Sequence, residues 1–495
     1  MAARPQPRIL IVGAGFGGIA AAIELGRHGF TDVRILDAAS ELGGTWFYNR
    51  YPGAACDVPS HLYSFSFEQR RDWSRFCSPQ DEILGYLRAV ARDHDVDRLL
   101  IPGRRVSSCR FDEVRAAWET ETETGERYES DVIVLATGQL NRPSIPPLPG
   151  MDRFIGHSFH SARWGGEYDL RGKRVAVIGT GASAVQFVPR VADQAAQLTV
   201  FQRTANWLLP RENQIYPPLL RALIEHVTPV QSLRRRWIFN YGEALTLAIR
   251  HPRTVGKLVE ARSRIFMHRQ LPDPELRAKV MPDYTFGCKR VLFSSHYLPA
   301  LGRPHVDLVT DRIAAVTETG IRTDDGRERP FDCIIWSTGF RASEFMAPMR
   351  VGGNGGRELH DVWERGAHAH LGMTVPGFPS MFLMYGPNTN TSGGSVIVYL
   401  EAQAAYIRQA IEHLRDGGFA KLDVRADVEA GSDRETQARF AGTAWTGCDS
   451  WYRDEQGRIV ANWPGYMREY LKRTRSFEAS EYEFTSLPVA APAPG

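Results

Sequence analysis

The sequence lacks the marks of several large protein classes. It has six cysteines, Cys56, Cys77, Cys109, Cys288, Cys333 and Cys448, with no CxxC pair and no ladder of ligand spacings. That excludes a zinc ribbon, a thiol-reductase motif and a disulfide framework, and it suits a reducing cytosol. No apolar run reaches the roughly 18 residues of a spanning helix, so no integral membrane segment is expected. Charge is nearly balanced, 60 Lys plus Arg against 57 Asp plus Glu, which argues against a nucleic-acid partner. Arg4 and Arg8 ahead of the apolar stretch Ile9 to Leu25 imitate a signal peptide. The glycines in that stretch suit a strand-to-helix turn better than a helical leader, so a cytoplasmic protein is expected.

Glycine is plentiful, with 45 residues, and its placement is informative. Arg8 to Val12 reads as a buried strand, Gly13-Ala14-Gly15-Phe16-Gly17-Gly18 as a GxGxxG turn, Ile19 to Arg27 as a helix and Val33 to Leu36 as a second strand. In such a βαβ unit Gly13 permits the turn, Gly15 lets backbone approach a pyrophosphate, and Gly18 allows close helix packing. Asp37 ends the second strand, where a carboxylate accepts ribose hydroxyls. Arg174 to Ile178, Gly179-Thr180-Gly181-Ala182-Ser183-Ala184, Val185 to Val191 and Leu198 to Phe201 repeat the pattern as GxGxxA, with Gly179, Gly181 and Ala184 in the fingerprint positions. Arg203 stands where an NAD site would carry an acid, so a 2′-phosphate and NADPH are expected there. Two sites of different character point to FAD in the first and NADPH in the second, and to hydride transfer to a flavin.

Between the units, Ala116 to Thr124 reads as the wet face of a hairpin turned by Gly125. Asp131 to Leu135 and Asp332 to Trp336 are strands that each end in a Thr-Gly turn, which suggests two related sheets. Pro143 to Pro149 reads as a stiff connector. Leu209 to Val280 turns helical and basic, 13 Lys plus Arg against six Asp plus Glu, leaving the remainder of the chain acidic. A solvated helical cover over an active site is the plainer reading; contact with a membrane surface through Trp237, Ile238 and Phe239 is the other. His368 and His370 form an HxH expected at the surface, and no metal is expected.

Two further constellations lie outside the fingerprints. Gly43-Gly44-Thr45-Trp46 is followed by Tyr51-Pro52-Gly53 and Asp57, and Phe154, Gly156, His160 and Trp164 stand in the order FxGxxxHxxxW. On these motifs, in this order with two nucleotide folds, the sequence resembles the Baeyer–Villiger monooxygenases over nearly its whole length. The resemblance implies oxygen insertion beside a ketone carbonyl through a C4a-peroxyflavin, giving an ester or lactone. By position it makes Arg290, in Gly287-Cys288-Lys289-Arg290, the catalytic cation and Asp57 its partner. A fixed guanidinium stabilises developing oxyanions. The same resemblance sends Lys289 and Thr204 with Arg203 to NADPH, Thr45, Trp46 and Asn388 to the flavin, and Trp451, in Cys448-Asp449-Ser450-Trp451, to a mobile loop over NADPH and substrate. His160 reads equally as a hydrogen-bonded connector, and Trp451 as a plain aromatic anchor.

Trp164, where oxygenases of nitrogen and sulfur carry Tyr or Phe, favours ketones, and Asn462-Trp463-Pro464-Gly465 resembles members acting on bulky or aryl ketones. A flavin-containing N- or S-oxygenase and a non-catalytic nucleotide-binding redox sensor are the alternatives. The expected fold is α/β with two dinucleotide-binding (Rossmann-like) domains, the NADPH domain inserted in the FAD domain and itself carrying a helical insert. The expected division is 1–145 and 341–485 for FAD, 146–208 and 286–340 for NADPH, 209–285 for the insert and 486–495 for a disordered tail. The expected partners are a small ketone and dioxygen, in a monomer or homo-oligomer.

Overall fold

The computed structural model describes residues 6–166, 168–211, 213, 215–391 and 393–486. Ile9–Val12 is buried throughout, as an all-apolar run must be when a parallel strand is covered on both faces. It is the middle strand of a parallel five-stranded sheet in the order Met381–Leu383, Val132–Leu135, Ile9–Val12, Val33–Leu36, Leu100–Ile101. The following helix, Phe16–Arg27, begins three residues before the expected start and takes Gly17 and Gly18 into its first turn. This is possible because residue 18 has no side chain: a Cβ there would lie 1.9 Å from the Gly13 carbonyl oxygen. The long helix Val396–Gly417 packs on Phe16–Arg27 from the far end of the chain, with Arg408 Nε donating to Glu24 at 3.1 Å.

A second parallel five-stranded sheet has the order Val306–Val309, Gln197–Phe201, Arg174–Ile178, Cys333–Trp336, His157–His160. The two sheets share local detail. Gly13 has φ +109° and Gly179 φ +103°, and a Cβ on either would meet the carbonyl oxygen of Ala136 (2.4 Å) or Ser337 (2.3 Å) in the matching Thr-Gly turn. At the other end of each central strand an arginine clamps an aspartate. Arg8 donates its N–H and Nη2 to Asp131 (2.8 and 2.6 Å), and Arg174 does the same to Asp332 (2.8 and 2.8 Å).

Each sheet carries a small antiparallel addition. Val106–Asp112, Ala117–Thr122 and Arg127–Ser130 form the hairpin structure expected around Gly125, and Ile313–Val316, Gly320–Thr323 and Glu328–Pro330 form the other. Between Leu209 and Leu292, among the described residues, run four helices, Pro218–His226, Thr228–Arg250, Val255–Gln270 and Pro274–Val280.

Three sequence expectations need correction. Cys288 and Cys448 form a disulfide, although no local spacing announces it, because the partners lie 160 residues apart; Cys56, Cys77, Cys109 and Cys333 are free and buried. The HxH is not a surface pair, for His370 is buried and His368 half-buried. His370 is buried with Nε2 3.0 Å from Glu481, and His368 Nδ1 lies 2.7 Å from the buried Glu429. Each ring takes a carboxylate partner, which is what makes its burial tolerable. Ser486, placed in the tail, ends the strand Tyr482–Ser486, and the rest of the proposed tail lies outside the described residues.

Candidate active site

Both glycine turns open on one cavity of about 2150 Å³. A single drug-sized ligand needs only ~300–1,000 Å³. The first sheet contributes Gly13, Gly15, Asp37, Thr45, Trp46 and Asp57 to its wall, and the second contributes Gly179, Gly181, Arg203, Thr204, Lys289 and Arg290. Gly18 and Ala184 stand behind the turns, where they let each helix pack.

The cavity fits two dinucleotides on its own geometry. Neither Gly15 nor Ser183, the residues that cap the two helices, makes a side-chain hydrogen bond to the first turn. A Cβ at Gly181 would meet nothing within 4 Å, so the turn presents bare backbone to the open space. Such helix starts attract phosphate. Gly44, at φ +53°, lies so close to the first turn that a Cβ would be 2.9 Å from Gly15 Cα. Asp37 is half-buried, held by the N–H groups of Ala14 (2.6 Å) and Ala39 (2.7 Å). Burial nevertheless pushes its carboxyl above the ordinary value. Trp46 is fixed by Nε1 donating to the Tyr63 hydroxyl at 3.2 Å.

At the second turn two cations face the cavity. Burial and the like charge of Arg203 lower the Lys289 pKa, with Asp283 and Asp449 opposing. Two cations that disfavour one another form a site for a multiply charged anion. Thr204 accepts from the Thr180 hydroxyl through its carbonyl at 3.3 Å, which fixes the loop that carries Arg203.

Asp57 and Arg290 meet between the two turns. Arg290 Nη2 donates to both carboxylate oxygens, at 2.9 and 2.6 Å. Burial works against the Asp57 charge, but Arg290, through charge and hydrogen bonds, and Arg211 outweigh it and hold the carboxyl below the ordinary range. Asp57 in turn raises the Arg290 pKa, so the guanidinium stays charged at any working pH.

The loop that carries Asp57 is stapled to the second unit. Gln186 Oε1 accepts from the Tyr51 hydroxyl (3.1 Å) and the Ala55 N–H (3.2 Å), while its Nε2 donates to the Ala55 carbonyl (2.9 Å). Gly53, at φ +81°, brings the loop within 2.9 Å of the Gln186 carbonyl, measured from where a Cβ would stand.

The FxGxxxHxxxW residues support the wall from behind rather than lining it. Gly156 makes room for the Phe154 ring, which would lie 2.5 Å from a Cβ. His160 donates from Nε2 to the Gly339 carbonyl (3.0 Å) and accepts from the Ala162 N–H at Nδ1 (3.1 Å). Burial lowers its pKa to about 4, so the ring is neutral. Trp164 packs on Phe187 (5.3 Å), which packs on Tyr51 (5.9 Å), linking this motif to the Tyr51-Pro52-Gly53 loop.

Asn388 also stands off the cavity. Its amide donates to the carbonyls of Ile459 (2.8 Å) and Asn462 (2.9 Å), and the asparagine of the same segment that lines the cavity is Asn390. Trp451 does line it, with Tyr452 packed at 4.3 Å, and the disulfide ties their loop to the Lys289–Arg290 segment.

Sequence reasoning missed Arg211, whose Nη2 donates to the Cys56 carbonyl at 2.6 Å, and Gln186. Neither belongs to a spacing pattern. The disulfide had a signal, since both cysteines stand in motifs already assigned to one site.

A family model described as pyridine nucleotide-disulphide oxidoreductase matches residues 7–227. The chain is 38% identical over 500 residues to a Baeyer-Villiger monooxygenase of Pseudomonas aeruginosa, covering 99% of this chain and 95% of the relative. It is 40% identical over 491 residues to a Baeyer-Villiger monooxygenase of Streptomyces coelicolor, covering 98% and 93%. Among solved structures, an oxidized steroid monooxygenase bound to NADP matches with TM-score 0.88 at 30% identity, covering 97% of this chain and 100% of that one. A closed crystal structure of cyclohexanone monooxygenase matches with TM-score 0.88 at 28% identity, covering 97% and 99%. Kinship of that extent, running through both sheets and the cavity between them, makes the chain a member of the Baeyer–Villiger monooxygenase family.

Proposed function

We propose that the protein oxidises a bulky or aryl hydrophobic ketone to an ester or lactone, with FAD at the Gly13–Gly18 turn and NADPH at the Gly179–Ala184 turn. FAD reduced by NADPH supplies the activation of dioxygen. In this reading residues 1–145 and 341–485 hold the flavin, 146–208 and 286–340 hold the nicotinamide nucleotide, and 209–285 cover the cavity. Asp37 takes ribose hydroxyls, and Arg203, Thr204 and Lys289 take the 2′-phosphate.

The observation that carries the reading is the Arg290–Asp57 pair, which joins the two nucleotide units inside their shared cavity. Arg290 is the catalytic cation: it donates to the oxygen on which charge develops when the ketone carbonyl is attacked. Asp57 positions it, and Gln186 positions the loop of Asp57. The cavity wall also carries Leu62, Phe76, Ile238, Phe286 and Trp445, apolar side chains that suit a hydrophobic ketone. The reaction belongs in the cytoplasm, where both nucleotides are at hand.

Incubating the FAD-loaded enzyme with NADPH and parallel panels of aliphatic, cyclic and aryl ketones, amines and sulfides, read by mass spectrometry, tests this. Ester from the bulky or aryl ketones is expected. N-oxide or sulfoxide without any ester would overturn it, and so would FAD binding without substrate-dependent oxygen uptake.

A further inference from the structure

The helix Thr228–Arg250 carries an apolar stripe that runs from open solvent into the cavity. Leu233, Trp237, Tyr241 and Leu245 follow at every fourth residue and so share one face. Leu233 is 66% exposed, Trp237 58% and Tyr241 40%, and Leu245 is half-buried. Trp237, Tyr241 and Leu245 line the cavity, so the stripe is a ramp to its mouth. The Trp237 and Tyr241 rings stack with centroids 5.8 Å apart and planes 15° from parallel. The helix Pro218–His226, packed against this one, exposes Leu219 and Leu223 as well. Single exposed apolar residues are ordinary on a protein surface, but a stacked row continuous with a binding cavity is not.

On this helix the exposed charge has one sign. Glu243 is the sole carboxylate of this helix, and it is buried. Arg236 is exposed on the helix, Arg221 is exposed on the neighbouring helix Pro218–His226, and Arg234 lies over the Phe76 and Tyr216 rings. Asp72, the acid of the 70–76 segment, is half-buried and paired with Arg70 at 2.7 Å. An apolar face flanked by exposed arginines is complementary to a bilayer with anionic headgroups.

We propose that this face docks on an anionic membrane surface, so that the cavity mouth opens on lipid and takes up its apolar ketone there. The ketone part of this statement rests on the function proposed above; the docking part does not.

The test is co-sedimentation of the FAD-loaded full-length enzyme with vesicles of phosphatidylcholine alone and of phosphatidylcholine with an equal part of phosphatidylglycerol. Binding to the anionic vesicles only, weakened by salt, is expected. Leu233→Glu and Arg236→Glu, which lie outside the cavity wall, should each weaken it by about tenfold or more. Both should keep wild-type turnover of a water-soluble ketone without vesicles. Absence of sedimentation, or sedimentation unchanged in both variants, would overturn the proposal. So would a dimer in solution that Leu233→Glu converts to monomer without any vesicle binding, since a second copy would then be what covers the stripe. Vesicle binding without oxidation of any ketone would leave the docking face standing and sink the substrate reading.

Discussion

Arg290 reaches from the second nucleotide unit to Asp57 of the first, its Nη2 bonded to both carboxylate oxygens at 2.9 and 2.6 Å. Each side chain therefore holds the other's charge, and removing either leaves an unbalanced ion in the cavity wall. Arg290→Ala is expected to lower ester formation by roughly 10²–10³-fold, the loss that follows removal of one oxyanion donor. Asp57→Asn should lower kcat less and leave the KM for NADPH within a few-fold. Ester yield by gas chromatography, with NADPH consumption followed in parallel, decides; a normal rate in Arg290→Ala would remove that residue from the chemistry.

Arg203 and Lys289 are expected to act on the nucleotide alone. Arg203→Gln or Lys289→Gln should each raise the KM for NADPH by roughly 10-fold or more, the value of a charge-assisted contact, and leave the KM for NADH nearly unchanged. Steady-state kinetics with both nucleotides measures this. An equal rise for NADH would mean that the pair does not read the 2′-phosphate.

Two buried histidines should each withdraw stability on mild acidification, against the opposite pull of the Asp423 carboxyl, which burial pushes up to about 7. Burial, reinforced by Arg234 and Arg235, lowers the His61 pKa to about 4, and burial lowers that of His160 to about 4. In the unfolded chain both rings titrate near ~6.5. Below that pH the unfolded state takes up protons that the folded state refuses at these rings, so their contribution is complete above about pH 7 and drains away between roughly 6.5 and 4. Each ring contributes at most about 3 kcal/mol to this loss. Thermal unfolding of the wild type and His61→Leu should therefore diverge across those limits, the wild type losing stability relative to the variant as pH falls; parallel curves would remove His61 from the pH dependence.

The Cys288–Cys448 bond closes a separation of 160 residues. Reduction with dithiothreitol, or Cys448→Ser, should cost about 2–4 kcal/mol of stability and loosen the Trp451 loop. Non-reducing peptide mapping should recover the two cysteines in one cross-linked peptide. Recovery as separate thiols, or an unchanged melting temperature after reduction, would contradict the bond.

Much of this site is written in local spacing. Gly13, Gly15, Gly179 and Gly181 announce their turns because a strand, a glycine and a helix must follow one another within a few residues for the backbone to reach a phosphate. Asp57 and Arg290 came from resemblance, and no spacing could have paired side chains 233 residues apart. Gln186 and Arg211 were invisible for the same reason: their work is to bond backbone that only the folded chain brings near. The burial of His370 was misjudged because its partner, Glu481, lies 111 residues further on. The Arg8–Asp131 and Arg174–Asp332 clamps repeat between the units and could have been found by aligning the two halves at their glycine turns.

The order of strands bears on how the chain comes off the ribosome. When residue 336 has emerged, the second sheet has all five of its strands, His157–His160 through Cys333–Trp336. The first sheet, begun at Ile9, still lacks its edge strand Met381–Leu383 and the helix Val396–Gly417 that covers Phe16–Arg27. Domains fold as their residues become available during synthesis. The half that opens the sequence is thus the last to close, and a nascent chain of intermediate length carries one finished nucleotide fold beside an unfinished one with an open edge.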